Sequence, residues 1–286
     1  MDSKNIDYYI EKANNMQPTD QSPRAGSMGY RIDDVILLKY DITRKDERMQ
    51  KAINDAADRG AKTPKYLETK EEGNIYWVLQ ELAKGKNYTA NEDVGKYFTD
   101  LIKAPDEQYR DLLVTMKELY GFDLEIRGTN IFYDRDEGFT VIDIAGLSER
   151  QFDENSSEDI NRVISNADSA ISTLYYFASW CGDEMFVENS FENKYITYRL
   201  LKNAMTLMPS IKMESLDEYY RRYLENRGIF EELERRIKGL DEITEESLED
   251  VVNLILEQNP KIKGKLRNFR KQNKKRKFII RTNWYW

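Results

Sequence analysis

The stretch "NIFYDRDEGFTVIDI", residues 130–144, decides how the rest of this sequence is interpreted. A short apolar run follows Asn130, a charged segment with a glycine comes next, and a β-branched run then leads to Asp143. Two such runs around "DRDEG" predict a β-hairpin that turns at this segment. The hairpin would carry Asn130 and Asp143 at its two ends.

Short β-rich runs alternate with helical patterns before residue 150. Strands are predicted where β-branched and aromatic residues cluster. Apolar residues at helical spacing follow Thr43, a plausible N-cap, and end at Gly60, a plausible stop. The patterns predict strands at 29–32 and 34–42, a helix over 43–60, a hairpin over 65–82 turning at "EEGN", and helices over 94–104 and 106–122.

After residue 150 the pattern is almost wholly helical. Ser156 precedes Asp159 by three residues, which resembles a capping box with Asp where Glu is usual. Four more helical segments follow. The sequence therefore combines a small β-rich N-terminal part with a helical C-terminal part.

The absence of histidine excludes several classes of chemistry. Ser-His-Asp and Cys-His nucleophilic sites both need an imidazole, and so do imidazole metal sites. The single cysteine, Cys181, cannot form a disulfide within the chain. An enzyme built from this sequence must therefore use carboxylates, lysine, hydroxyls and oxygen-liganded metals such as Mg²⁺.

No apolar run approaches the length of a membrane span. The N-terminus has no basic region followed by an apolar stretch, which a secretion signal would need. The single cysteine indicates a reducing compartment, so we expect a cytoplasmic protein.

A basic, aromatic tail ends the chain. Eleven Lys or Arg lie between Lys261 and Arg281, and no acidic residue follows Glu257, so the net charge of −8 leaves −19 for residues 1–258. The tail could contact nucleic acid or an acidic partner through residues 261–281. Alternatively, it folds back on the acidic body or stays solvated.

The order strand, helix, hairpin, helix, loop, hairpin resembles the protein kinase-like superfamily, a two-lobed α+β fold with ATP in the cleft. "GSMGYRI" (26–32) resembles a shortened glycine-rich loop, and "ILLKY" resembles the strand that carries the ATP lysine, here Lys39. "NIYWVLQELAKG" (74–85) resembles the strand and hinge that hold adenine, with Leu79 at the gatekeeper position.

Two further matches flank the hairpin. "LEIRGTN" (124–130) resembles the catalytic loop that ends in the metal-binding asparagine, and "VIDIAG" (141–146) resembles the motif with the metal-binding aspartate. The resemblance implies ATP and Mg²⁺ as cofactors, with Asn130 and Asp143 on the metal. It assigns the nucleotide to Gly26, Ser27, Gly29, Lys39, Glu47, Gln80, Glu81 and Leu82.

The resemblance also implies a domain division. Residues 1–82 would form the N-lobe with an N-terminal extension, residues 83–258 a helical C-lobe, and residues 259–286 the tail.

The catalytic loop departs from the family's pattern. Glu125 stands five residues before Asn130, where kinases keep the catalytic aspartate, and Asp123 would fit only with two extra loop residues. Glu125 is therefore the candidate base beside Asp143, with Asp123 as the alternative. Asp143 is not followed by the Phe-Gly that is usual in the family, and no Ala-Pro-Glu segment comes after it. Glu47, the candidate partner of Lys39, lies early in its predicted helix.

These departures resemble the minimal or atypical bacterial kinase-like proteins, some of which are effectors. Secretion without a classical signal peptide is therefore an alternative to the cytoplasm. Three functions remain open: an active kinase that phosphorylates a protein or small-molecule hydroxyl, a pseudokinase that binds nucleotide or a partner without chemistry, and an unrelated helical binding protein that uses its basic tail.

Overall fold

The computed structural model describes residues 5–22, 27–85, 100–124, 126, 130–142, 144–148, 150–180, 191–225 and 227–238. The predicted α+β class is confirmed: the N-terminal part holds a small antiparallel sheet and the C-terminal part is helical. The chain divides into two compact units. Residues 1–88 and 107–174 form the first, and residues 89–106 and 175–286 form the second. The boundaries predicted at residues 82 and 258 stay predictions.

The described strands are β1 (Asp20–Ser22), β2 (Ser27–Ile32), β3 (Val35–Asp41), β4 (Tyr66–Glu72), β5 (Ile75–Glu81), β6 (Phe122–Leu124), β7 (Ile131–Asp134), β8 (Gly138–Val141) and β9 (Ile144–Leu147). The described helices are α1 (Ile6–Asn14), α2 (Glu47–Asp58), α3 (Asp106–Glu118), α4 (Ser157–Trp180), α5 (Phe191–Leu207), α6 (Glu218–Glu225) and α7 (Arg227–Ile237). Short 3₁₀ turns cover Ile42–Arg44 and Met213–Ser215.

Five strands form an antiparallel sheet in the order β1-β2-β3-β5-β4. The central strand β3 pairs Leu37 with Tyr30 on one side and with Leu79 on the other. The strands predicted at 29–32 and 34–42 and the hairpin at 65–82 are confirmed, with small differences at their ends.

Helix α2 begins at a different cap from the one predicted. Asp46 is the N-cap, and its carboxylate accepts from the Met49 N–H at 2.9 Å. The prediction of Thr43 as N-cap was wrong, because the Asp41 carboxylate binds the Thr43 N–H at 3.0 Å and its hydroxyl at 2.7 Å. Thr43 is thereby held in the 3₁₀ turn before the helix.

The two faces of the sheet pack against different helices. Successive residues of a strand point to opposite faces of the sheet. We name the two faces after the helices that cover them, the α1 face and the α2 face. On the α2 face, the Tyr76 hydroxyl donates to Gln50 of α2 at 2.8 Å. On the α1 face, the buried side of α1 packs in one apolar cluster whose residues are Ile6, Tyr9, Ile10, Ala13, Tyr30, Ile32, Val35, Leu37, Trp77 and Leu79.

Strands β7 and β8 form the hairpin predicted from residues 130–144. Their register runs from Ile131 opposite Val141 to Asp134 opposite Gly138, so the chain turns within "DRDEG" as predicted. The Asp134 carboxylate accepts from the backbone N–H of Asp136 at 2.8 Å and stabilises this turn. A second ribbon pairs β6 with β9.

Helix α4 begins at the predicted N-cap but without the predicted capping box, because the Ser156 N–H donates to the Asp153 carbonyl at 3.0 Å. The Ser156 hydroxyl accepts from the Asp159 N–H at 3.3 Å, which confirms the N-cap. The Asp159 carboxylate also accepts from the Tyr120 hydroxyl at 2.6 Å and from the Asp153 N–H at 2.9 Å.

Within the second unit, Arg199 of α5 is the centre of a buried polar network. Its guanidinium donates to the Asp106 carboxylate at 2.6 Å and to the Ile102 carbonyl at 2.8 Å. Helices α5 and α7 also contact each other through aromatic rings: Tyr198 of α5 stacks on Phe230 of α7, with 4.7 Å between the ring centroids. Across the described helices of the chain, none combines the length and the apolar character that a membrane crossing requires.

Candidate functional site

Asn130 lies at the open end of the β7–β8 hairpin and is only 6% exposed. Its carbonyl accepts from the Ile142 N–H at 2.8 Å, which extends the hairpin ladder by one rung beyond Ile131. The Val141 N–H donates to the Lys62 carbonyl at 2.9 Å and ties β8 to the chain after α2. The hairpin thus holds a buried amide side chain beside the residue that precedes Asp143 in the sequence.

Two of the predicted catalytic residues, Glu125 and Asp143, lie outside the described residues. Asp123, the alternative base, is described and exposed. It lies on β6 opposite Gly146 of β9, next to an irregularity in the pairing between Asp123 and Leu124. Its role and that of Glu125 stay predictions.

Lys39 lies on the α1 face of the sheet. It pairs with Trp77 across the β3–β5 ladder, and its ammonium group is 5.1 Å from the centroid of the Trp77 ring. The Trp77 indole N–H donates to the Glu72 carboxylate at 3.2 Å. Lys39 therefore makes a cation–π contact beside the cluster that packs against α1.

Glu47 lies on the other side of the sheet. It is the first residue of α2, and its carboxylate is 2.7 Å from the Lys45 ammonium, which also contacts Glu71 of β4 at 2.6 Å. Hydrogen bonds from Lys45 to Glu47 and then to Glu71 raise the pKa of Lys45 above its usual range. Glu71 pairs with Tyr76, so this group lies on the α2 face. The structure does not bring Lys39 and Glu47 together.

The predicted hinge residues lie at the end of β5 and just after it. Gln80 donates to the Pro64 carbonyl at 3.3 Å, the Glu81 carboxylate accepts from the Lys65 N–H at 3.0 Å, and the Leu82 N–H donates to the Asp34 carbonyl at 3.3 Å. These contacts fix the course of the chain after the sheet. Leu79, at the predicted gatekeeper position, is buried in the cluster that packs against α1.

The predicted glycine-rich loop is described only in part. Gly26 lies outside the described residues, and Ser27 is the first residue of β2. Gly29 is inside β2, where its carbonyl accepts from the Thr19 N–H at 2.8 Å. The assignment of this segment to phosphate stays a prediction.

Of the two predicted metal ligands, the structure describes Asn130 but not Asp143. In the described ranges, no three His, Cys, Asp or Glu side chains are grouped so that they could hold a metal ion, and Asp143 and Glu125 fall outside those ranges. The buried Asn130 amide suits an oxygen ligand for Mg²⁺. The assignment of Mg²⁺ to Asn130 and Asp143 stays a prediction.

One residue of this region was missed by the sequence patterns. Gln108, in the first turn of α3, is 5% exposed and contacts the β7–β8 hairpin. A glutamine among the polar residues of a helix start has no spacing that marks it as buried, so the sequence offered no signal for it.

Comparisons with known proteins complete the description of this site. No family model matches the chain, and no curated protein matches it. Among solved structures, the chain is similar to the kinase PK-1 of the Cydia pomonella granulovirus, with 11% sequence identity and a TM-score of 0.39. That similarity covers 72% of this chain and 96% of the viral one.

Proposed function

We propose that this chain is an atypical kinase-like protein that binds Mg²⁺-ATP and transfers phosphate to a hydroxyl of a protein or small molecule. The observation that supports this most directly is the backbone hydrogen bond of 2.8 Å between Ile142 and Asn130. The Cα atoms of residues 142 and 143 are separated by one peptide unit, about 3.8 Å. The hydrogen bond at the open end of the hairpin therefore suits the pairing of Asn130 with Asp143 at one cation.

Each proposed residue has one task. Asn130 and Asp143 would bind Mg²⁺, which neutralises phosphate charge when bound. Glu125 would accept the proton of the acceptor hydroxyl, whose oxygen bonds to the γ-phosphorus as the bond from that phosphorus to ADP breaks. Gln80 and Glu81 at the end of β5, and Leu82 just after it, would contact adenine. The order of the elements, with α2 between β3 and β4, supports this assignment.

A second candidate function is nucleotide or partner binding without phosphotransfer. The position of Lys39 favours it, because Lys39 lies on the α1 face with its ammonium over Trp77, whereas α2 lies on the opposite face. A lysine that must reach both a phosphate and a carboxylate of α2 would need to point to the α2 side.

Incubation of the purified protein with Mg²⁺ and radiolabelled ATP tests the two candidates. Labelling of the protein or of an added acceptor that is lost in Asp143→Ala supports the kinase. Asp136→Ala is the matched control, since Asp136 is an exposed aspartate in the turn of the same hairpin. Thermal stabilisation by Mg²⁺-ATP without labelling supports the second candidate. No response to nucleotide would reject the kinase and would also reject nucleotide binding as the second function.

The tail is a separate proposal. Residues 261–281 lie outside the described residues, and their charge of +11 supports contact with an acidic partner or nucleic acid. Deletion of residues 261–286 should then weaken that contact and leave nucleotide binding unchanged.

A further inference from the structure

We propose that Gln108 is a positioning residue that holds the β7–β8 hairpin and, through it, the Asn130 end that would bind the cation. The part concerning the cation rests on the proposed function. The part concerning the hairpin does not, because it follows from the contacts between α3 and the hairpin.

The side-chain amide of Gln108 contacts the hairpin at two points. Its NH₂ group donates to the carbonyl of Arg135, in the turn, at 2.7 Å. Its oxygen accepts from the hydroxyl of Tyr133, on β7, at 3.3 Å. A buried amide that uses both its donor and its acceptor in this way fixes the position of both partners.

The hairpin is shaped to receive this side chain. Gly138 has a φ of +84°, which favours glycine, and a Cβ there would lie 3.1 Å from Cγ of Gln108. Phe139 packs on the ring of Tyr133 at 5.0 Å and on that of Tyr109 at 6.4 Å between centroids. Helix α3 thus contacts the closed end of the hairpin through polar and aromatic groups.

The segment after β5 closes against the same strand. Gly85 has a φ of +86°, and a Cβ there would lie 2.4 Å from the carbonyl carbon and oxygen of Tyr133. Only a residue without a side chain permits this approach. Lys84 adds an exposed ion pair with Glu137 at 2.6 Å, a type of contact that contributes little by itself. Strand β7 is therefore held by α3 and by the segment after β5.

The position of Asn130 depends on this hold. Asn130 is the residue before β7, only a few residues from the turn, and each strand residue advances about 3.3 Å. A shift of one residue in the pairing would turn every side chain of the hairpin to the other face. Gln108 binds Tyr133 of β7 and Arg135 of the turn, and it also lies against Gly138 of β8. It therefore contacts both strands and favours the register that brings Asn130 opposite Ile142.

Gln108→Leu removes both contacts and tests the proposal. We expect amide hydrogen exchange at the Ile142 N–H to become about tenfold faster, since this group closes the Asn130 end. Exchange at the Leu37 N–H, in the central strand of the sheet, should not change. The affinity for Mn²⁺-ATP, followed by the electron paramagnetic resonance signal of Mn²⁺, should fall about tenfold. Gln151→Leu, at an exposed glutamine, is the matched control.

Gln108→Glu keeps the shape and separates this role from a general loss of stability. A protonated carboxyl can donate to the Arg135 carbonyl, whereas the ionised form cannot. Burial raises the pKa of such a carboxyl above its ordinary value of about 4.3. The protection factor of Ile142 in this variant should therefore approach that of the wild type at acidic pH and fall as pH rises.

Unchanged exchange at Ile142 in both variants would overturn the proposal. A similar increase in the amide exchange rate at Ile142 and at Leu37 would also overturn it, because Gln108 would then stabilise the whole unit. If Ile142 responds as expected but the wild-type protein does not bind Mn²⁺-ATP, the role of Gln108 in the hairpin stands. In that case its role at the cation and the proposed function both fail.

Discussion

The ammonium group of Lys39 lies 5.1 Å from the centroid of the Trp77 ring, directly across the β3–β5 pair. This contact lies on the sheet face that packs against α1, and α2 lies on the other face. Lys39 therefore has a structural partner in the sheet, which limits its freedom to bind phosphate.

Replacement of Lys39 tests whether this side chain binds phosphate or only packs on Trp77. Lys39→Ala removes the cation–π contact and should lower the free energy of unfolding by about 0.5–1 kcal/mol. We expect the affinity for Mg²⁺-ATP to stay unchanged, as measured by isothermal titration calorimetry. Lys39→Arg should retain the stability. A loss of ATP affinity at unchanged stability would instead return Lys39 to the phosphate-binding role that the sequence predicts.

The general base is tested by two conservative substitutions. Glu125→Gln should reduce phosphotransfer by roughly 10²–10⁴-fold while ATP affinity is retained, because the amide cannot accept the hydroxyl proton. Asp123→Asn should do much less. The reverse ranking, measured in the same transfer assay, would identify Asp123 as the base.

The ion pair between Arg199 and Asp106 should make stability depend on acidic pH. Burial is the largest single influence and acts to raise the pKa of Asp106. The hydrogen bond and charge of Arg199, together with Asn203 and Lys202, outweigh burial, so the pKa of Asp106 is lowered overall. The pair therefore stabilises the fold fully above the unfolded pKa of about 3.9, and this is lost as pH falls through the folded pKa.

Asp106→Asn should make the free energy of unfolding, measured in urea, depend less on pH between about pH 2 and 5. It should also lower stability at pH 7, because the side chain of Arg199 is only 7% exposed and loses a charged partner. Asp58→Asn, which removes the exposed contact of Asp58 with Lys65 at 2.6 Å, is the control and should change stability much less.

Tyr120 should titrate late. Burial, followed by its hydrogen bond to Asp159, raises the pKa of Tyr120 to about 12. The stabilisation of the fold by the protonated Tyr120 hydroxyl is therefore complete below the unfolded pKa of about 10, and it is lost as pH rises through about 12. Ultraviolet titration of the wild type against Tyr120→Phe should show one tyrosine missing from the late phase. A missing tyrosine near pH 10 would contradict the hydrogen bond.

Local patterns predicted much of the fold. Strands β3 and β5 are marked by β-branched runs, and the β7–β8 hairpin is marked by a turn that contains glycine. Each of these signals is contained in a few consecutive residues, so the strands could be predicted from the sequence. The N-cap of α2 was misplaced because Thr43 and Asp46 are both good caps, and only Asp41 decides between them by binding Thr43.

The candidate site was less predictable. Which face of β3 packs against α2 depends on contacts between distant segments, such as Tyr76 with Gln50, so the orientation of Lys39 relative to Glu47 could not be read from spacing. The burial of Gln108 depends in the same way on a hairpin that lies 27 residues further along the chain.

The contact between α2 and the outer strand β4 has a consequence for how this protein behaves among its copies. The side chain of Asn54 both donates to the Tyr66 carbonyl and accepts from the Tyr66 N–H, each at 2.8 Å. These are the backbone groups that a neighbouring strand would otherwise bind at the border of the sheet. Further along, β4 carries Glu68, Lys70, Glu71 and Glu72. An amide that imitates a strand at one end, with charges along the rest, makes this border a poor template for edge-to-edge aggregation.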